Sequence, residues 1–265
     1  MMRTAPVKRS MATVFAVLLA SVLVPGAWGQ ASPELITDYP FRDSFARQYP
    51  TERSPRIEIK GGISGPVTIS SGRTGTVDVA VQRTAATQWE LDCHEVKIDH
   101  RPDLITITQV QFTDRRECKN IRASQTLTLQ VPSDAVLHVS TIAGDLEVIG
   151  PVKRVTADSI AGHVHITAAG TVDLDSLARG LSLGLAGASP GSATIDSVVG
   201  VVELDVADRH DIEIRVNSLQ GEITSFPPDF VRLKVNDDGY LLRSGSGRTP
   251  LSISSINGDV VVRRK

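Results

Sequence analysis

A twelve-residue phrase recurs from residue 137 to the end of the chain: apolar-x-apolar-x-Ser/Thr-apolar-x-Gly-x-apolar-x-apolar. It reads Leu137 to Val148, Val155 to Ile166, Val172 to Leu183, Ala193 to Leu204, Ile214 to Ser225 and Leu251 to Val262. The glycine slot holds Gly144, Gly162, Arg179, Gly200, Gly221 and Gly258. Neighbouring copies lie 17 to 21 residues apart except the last pair, whose interval of 37 fits two coils with one degenerate copy between them. A repeat this short cannot bury a core alone, so copies must stack on one another.

Aligning the copies gives five apolar columns. Leu137, Val155 and Val172 begin the first, Val139, Ala157 and Leu174 the second, and Ile142, Ile160 and Leu177 the third. Leu146, Val164 and Leu181 begin the fourth, and Val148, Ile166 and Leu183 the fifth. Alternation within a strand, with a one-residue shift between strands, gives two short strands joined by a bend. Thr141, Ser159, Ser176, Ser197, Ser218 and Ser255 fall at that bend, where hydroxyls satisfy turn backbone groups. The glycine slot calls for a positive φ or close sheet approach, and Arg179 marks a local distortion. The expected fold is all-β: a right-handed β-solenoid over 132–265 with two strands per coil of about 18–21 residues. A left-handed helix of hexapeptides is the rival, but the 17- and 21-residue intervals break a six-residue period.

Residues 55–131 alternate in the same way at Ile57 and Ile59, Val67 and Ile69, Val77 to Val81, and Leu127 to Val131. This β-rich segment includes a hairpin, 93–99 with 103–110, turning at His100-Arg101-Pro102-Asp103, and is continuous with the coils as one domain over 55–265. Residues 30–54 carry three prolines and no period, and read as a tether strapped down through Phe41 and Phe45. The tail Arg263-Arg264-Lys265 reads as charge that blunts a terminal edge.

Arg3, Lys8 and Arg9, the uncharged stretch Met11 to Val24 and the small residues Ala27 and Gly29 read as a signal peptide over 1–29. Fourteen residues fall short of the ~20 needed to span a bilayer, and no second apolar run gives the mature chain a transmembrane span. The chain is thus expected to be exported to the periplasm, the medium or the cell surface. There the pair Cys93 and Cys118 favours a disulfide, worth about 3 kcal/mol by closing its loop. Charge is balanced at 28 basic and 30 acidic residues, which argues against a nucleic-acid partner. Aromatic residues make up 4%, in keeping with thin coils filled by branched aliphatics.

The chain resembles a bacterial family of β-strand-repeat domains named as candidate adhesins, of unknown function. The likeness covers about 45–262. It rests on Phe45-Ala46-Arg47-Gln48-Tyr49-Pro50, on Leu127 to Ala135, and on Val139-Ser140-Thr141-Ile142-Ala143-Gly144-Asp145-Leu146 with its copies. The resemblance implies an exported or surface-exposed β-solenoid and carries no catalytic motif. The cysteine pair and Arg179 depart from the family pattern.

Three groups of residues could carry chemistry. Asp145 and Glu147 on one coil face His163 and His165 on the next, a set suited to Zn²⁺, or to pairing across a solvated sheet face. Asp158, Asp175 and Asp196, followed by Asn217, form a ladder that either caps the bends or binds Ca²⁺. His94-Glu95 with His100 mimics a zinc-protease motif, but the spacing is wrong and the segment is a strand. No nucleophile elbow, phosphate loop or dinucleotide fingerprint occurs, and no cofactor is expected. The sequence therefore points to a non-enzymatic, adhesin-like or envelope scaffold protein whose partner is an envelope protein or a glycan. The alternatives are a β-helical enzyme acting on polysaccharide and a periplasmic partner in envelope-stress signalling.

Overall fold

Branched aliphatics at every second position make strands that stand one face on a core, and the chain is built of such strands almost throughout. The computed structural model describes residues 39–112, 118, 123–168, 170–185, 191–207, 211–217, 219–254 and 256–264. The leader read over 1–29, bend residues Ser218 and Ser255, and Lys265 lie outside the described residues.

The first part comprises β1 (Phe41–Pro50), β2 (Arg56–Lys60), β3 (Val67–Ser71), β4 (Thr76–Ala85), helix α1 (Gln88–Asp92), β5 (His94–Arg101), β6 (Leu104–Gln111) and β7 (Ala123–Val131). The repeats follow as β8 (Val136–Ile142) with β9 (Leu146–Ile149), β10 (Arg154–Ile160) with β11 (Val164–Ala168), and β12 (Thr171–Leu177) with β13 (Leu181–Leu185). Next come β14 (Ala193–Ile195), β15 (Val198–Val199) and β16 (Val202–Val206), then β17 (Ile212–Val216), β18 (Leu219–Gln220) and β19 (Ile223–Ser225). A hairpin of β20 (Val231–Lys234) and β21 (Tyr240–Ser244) precedes β22 (Thr249–Ile253), β23 (Ile256–Asn257) and β24 (Val260–Arg264).

These strands make two large, mostly parallel sheets. Sheet A has ten strands in the order β1-β4-β7-β3-β9-β11-β13-β16-β24-β19. Sheet B has fourteen, running β20-β21-β17-β22-β14-β12-β10-β8-β2-β6-β5 with β15, β18 and β23 on a side ladder. Each repeat gives one strand to each sheet, in register. Leu137, Val155, Val172 and Ala193 are successive partners in sheet B, and Leu146, Val164, Leu181 and Val202 in sheet A. All five apolar columns are buried, apart from Ser225 at the end of the last, and they join one core cluster that runs from Ile57 to Val262. Burying each such side chain contributes about 1.5–3 kcal/mol, so the columns are the main stabilising element.

The third column forms its own short ladder, Ile63–Ile142–Ile160–Leu177–Val198–Ile256–Leu219. Between it and the second column the backbone turns through a left-handed residue: Thr141, Ser159, Ser176 and Ser197 have φ of 54–58°. The bend is thus made by the Ser/Thr column itself, and the hydroxyl residues do more than cap it.

The glycine slot serves both a positive φ, as at Gly200 (+112°), and close approach, as at Gly162. A Cβ on Gly162 would lie 2.3 Å from the Gly144 carbonyl oxygen, although its φ lies outside the left-handed region. At the Arg179 slot the glycine requirement moves one residue on, to Gly180, whose φ is +102°.

The order of the repeats differs from the order of the sequence at both ends. In both sheets the first pair, β2 and β3, lies between β8/β9 and the later β6/β7. The last pair, β22 and β24, lies between β14/β16 and the earlier β17/β19. The degenerate copy expected within the 37-residue interval is instead the β20–β21 hairpin, which pairs antiparallel on β17. Arg263 and Arg264 therefore do not guard an edge. Arg263 Nη2 donates to Glu203 Oε1 at 2.9 Å, and Arg264 pairs with Asp229.

Two further differences lie near the start. The aperiodic segment read as a tether contains β1, paired antiparallel with β4 from Phe41↔Ala85 to Pro50↔Thr76, with Phe45 and Tyr49 packed on the core. Helix α1 precedes the expected hairpin of β5 and β6. Its N-cap Thr87 accepts from the Glu90 amide while the Glu90 carboxylate accepts from the Thr87 amide, a reciprocal cap written in the sequence as Thr-x-x-Glu. Cys93 caps the far end of α1 and is joined by a disulfide to Cys118.

Candidate functional site

The outward positions of the paired strands are where a site could be written, and the register fixes which side chains are neighbours. Glu147 and His165 stand side by side on the outer face of β9 and β11. Asp145 is committed elsewhere: its Oδ1 accepts the backbone N–H of His163 at 2.8 Å. The same device recurs near the other end, where Asp259 Oδ1 accepts the Glu222 N–H at 3.0 Å. A carboxylate after the glycine slot thus joins adjacent repeats by binding an amide that the sheet leaves free. Among the described residues no group of three or more His, Cys, Asp or Glu is arranged to hold a metal ion. Of the four, the register brings Glu147 beside His165, and Asp145 meets the His163 backbone.

Asp158 and Asp175 are direct neighbours on β10 and β12. Asp175 Oδ1 accepts from Ser176 Oγ at 3.1 Å. Asp196 Oδ1 accepts from the Ser197 amide at 2.8 Å and from Ser254 Oγ at 2.9 Å. Each of these two carboxylates hydrogen-bonds the left-handed Ser that follows it. The ladder is also interrupted, because the inserted last repeat puts Ser254 between Asp196 and Asn217, as Ser254 N→Ile195 O and Asn217 N→Ile253 O bonds record.

His94 and His100 are separated by their roles. His100 Nε2 lies 2.8 Å from the Pro50 carbonyl oxygen, and its ring is 5.1 Å from that of Tyr49. His94 is buried among Gln109 and Gln125, a polar cluster that sequence reasoning missed because each residue occupies a strand position that reads as apolar or solvent-facing. Gln109 Oε1 accepts from the Ser64 amide at 3.0 Å and from Gln125 Nε2 at 2.6 Å. That fixes the orientation of the amide, so its Nε2 end faces His94 Nδ1 at 3.1 Å and donates to it. His94 Nδ1 must then be unprotonated. Burial first, and the nearby Arg83 charge second, push the His94 pKa below its ordinary value, in agreement with this tautomer. Arg83 reaches across the cap, donating to the carbonyls of Leu91 and His94 and to Asp43 on β1.

A cleft of about 810 Å³ opens near the last strand, lined by Phe226, Pro227, Asp229, Ser244 and Arg264 among others. Ser244 Oγ donates to Asp229 Oδ2 at 2.7 Å and accepts from Arg264 Nη2 at 2.6 Å, while Arg264 Nη1 donates to the Ala207 carbonyl at 2.8 Å. Hydrogen bonds from Arg264 and then Ser244 hold the Asp229 carboxyl below the usual carboxylate range. The guanidinium also lies 5.2 Å from the Phe230 ring centre. This network ties the end of β24 to the loop before β20. Its charged groups, Asp229 and Arg264, are paired with one another.

No helix among the described residues is long and apolar enough to cross a membrane. No family model and no curated protein matches the chain. Several solved bacterial structures match the chain at low identity. A candidate cell adhesion protein from Clostridium sporogenes is 12% identical over 84% of this chain and 100% of its own, with a TM-score of 0.41. A candidate adhesin from Bacteroides fragilis is 11% identical over 83% of this chain and 97% of its own, with a TM-score of 0.28. A candidate lipid binding protein from Parabacteroides distasonis is 11% identical over 82% and 96%, with a TM-score of 0.29. Structural matches thus include bacterial candidate adhesins and cell adhesion proteins, at low identity.

Proposed function

We propose that the chain is an exported, non-enzymatic β-solenoid that acts as an adhesin-like or envelope scaffold protein, in contact with an envelope protein or a glycan. The observation that carries this reading is the in-register parallel pairing of successive repeats, which leaves continuous rows of outward side chains on a backbone locked by two neighbours. Rigid repeated faces of this kind serve recognition over an extended surface. Each return from one sheet through the other to a parallel neighbour is a crossover, and such crossovers favour a right-handed coil. The disulfide between Cys93 and Cys118 supports an oxidising compartment. The leader-like segment over 1–29 agrees with the same destination.

The test is a glycan array together with an envelope pull-down on residues 30–265. Retention of a specific partner with no turnover is the expected result. Release of product from a polysaccharide panel would refute it in favour of the enzyme alternative.

A further inference from the structure

Sheet B ends at β20. Its one strand neighbour is β21, and its other edge has no strand against it among the described residues. Natural edge strands are kept from pairing by bulges, prolines, short length or charges placed along the apolar face. Strand β20 is four residues long and carries Arg232 and Lys234, yet it also presents a row of uncovered apolar side chains. Val231 is 60% exposed, Leu233 54% and the following Val235 67%, three of the eight large apolar residues exposed among the described residues, on alternate positions.

The register identifies their face. Leu233 is opposite Leu241 on β21, which is opposite Arg215 on β17, whereas the buried Leu242 is opposite Ile214. Val231, Leu233 and Val235 therefore stand on the outward face of the sheet. Arg232 and Lys234 stand on the other face, next to Leu242 and Tyr240, and the Arg232 guanidinium lies 4.4 Å over the Tyr240 ring.

We infer that β20 accepts an extended segment of a partner protein as one more strand of sheet B, and that this segment alternates apolar with acidic residues. Its apolar side chains cover Val231, Leu233 and Val235, its acidic ones meet Arg232 and Lys234, and its backbone takes the hydrogen-bonding groups that the edge leaves open. A second copy of this chain fits less well. Antiparallel pairing that keeps the apolar residues on one face centres on Arg232, Leu233 or Lys234; each register sets a basic side chain against a basic one of the other copy, and like charges directly opposite are destabilising. A one-residue slip mixes the two faces. The inference rests on the reading of the chain as an interaction protein and adds the place and the chemistry of the contact.

The experiment is fluorescence anisotropy of the purified chain with two labelled peptides, one alternating Glu with Val and one alternating Lys with Val. The acidic peptide should bind about tenfold more tightly than the basic one, since two charge pairs change sign between them. The R232E/K234E variant should invert that preference while its melting curve stays close to wild type, and Leu233→Pro should abolish binding of both. An equal affinity for the two peptides, or a preference that survives the charge reversal, would overturn the inference. A concentration-dependent dimer lost in Leu233→Pro would overturn it in favour of a second copy. An envelope partner that is retained unchanged by R232E/K234E and by Leu233→Pro would overturn this inference alone and leave the interaction reading standing.

Discussion

Gly162 and Gly62 separate the two reasons a chain keeps a glycine. A Cβ on Gly162 would meet the Gly144 carbonyl oxygen at 2.3 Å and Asp145 Oδ1 at 2.4 Å. An unstrained carbon-to-oxygen contact needs about 3.3 Å, so Gly162→Ala must push two adjacent repeats apart by about 1 Å at the bend. The first obstacle is backbone, which has no rotamer to escape into. Three hydrogen bonds hold this seam: Leu146 N→His163 O at 2.9 Å, Ala161 N→Ile142 O at 2.8 Å and His163 N→Asp145 Oδ1 at 2.8 Å. Overpacking costs about 1–3 kcal/mol, and each stretched bond forfeits part of its roughly 1 kcal/mol. A total on the order of 3 kcal/mol lowers Tm by roughly 6–12 °C for a domain of this size. At Gly62 φ is +73° and an added Cβ meets nothing within 4 Å. Gly62→Ala therefore carries only the left-handed penalty of about 1–2 kcal/mol. Urea unfolding of both variants beside wild type measures the difference. If Gly162→Ala costs no more than Gly62→Ala, close approach is not what preserves the glycine column.

Three further outcomes follow from the fold. His94 has a folded pKa below its unfolded value of 6.5, so its share of stability is fully present above about pH 6.5 and is lost as pH falls toward the lowered folded value. Urea midpoints at pH 7 and pH 5 should therefore differ, and His94→Gln should flatten that difference; an unchanged pH profile in the variant would count against the neutral tautomer. Replacing both Cys93 and Cys118 by Ser should cost about 3 kcal/mol, read as a lower urea midpoint, and wild type under reducing conditions should fall to the same value. Val260 to Val262 on β24 should exchange their amide hydrogens as slowly as β16 and more slowly than β19, because β24 is paired on both sides. Faster exchange in β24 than in β19 would contradict the inserted position of the last repeat.

The inward half of this structure was legible because burial imposes a period, and a period survives in sequence. Leu137, Val139, Ile142, Leu146 and Val148 could be assigned to the core from alternation alone, and each is buried. The bend was only half legible. Ser and Thr signalled a turn, but nothing in them announces a left-handed φ, least of all in the β-branched Thr141. The strand β1 left no period because only Phe45 and Tyr49 meet the core while its other positions face outward or open solvent. Helix α1 is a single short turn, with Thr87-x-x-Glu90 as its one sequence mark. The column arithmetic correctly put Glu147 beside His165. It could not foresee that Asp145 would spend an oxygen on the His163 amide, because that contact depends on where a loop residue points and not on its column.

The order of the stack lay beyond any column count, for a reason that belongs to the repeat itself. Copies that share five inward columns are interchangeable as neighbours, so alternation scores every stacking order alike. What distinguishes them lies at the seams. The last repeat fits between the fourth and fifth copies of the phrase because it offers Gly258 to both: a Cβ there would lie 2.1 Å from the Gly200 oxygen, and a Cβ on Gly221 would lie 2.2 Å from the Gly258 oxygen. Asp259 then binds the Glu222 amide across one seam, and Ser254 binds Asp196 across the other. Arg264 draws the loop before β20 onto the same repeat, and the β20–β21 hairpin pairs on β17 beyond it. The repeat of β22 and β24 is thus an internal layer, and the element left to form the edge of sheet B is β20, with Val231, Leu233 and Val235 uncovered. Inserting β22 and β24 there gives β24 two partners, and it leaves the edge of sheet B to the β20–β21 hairpin, whose outward side chains can specify what pairs with it.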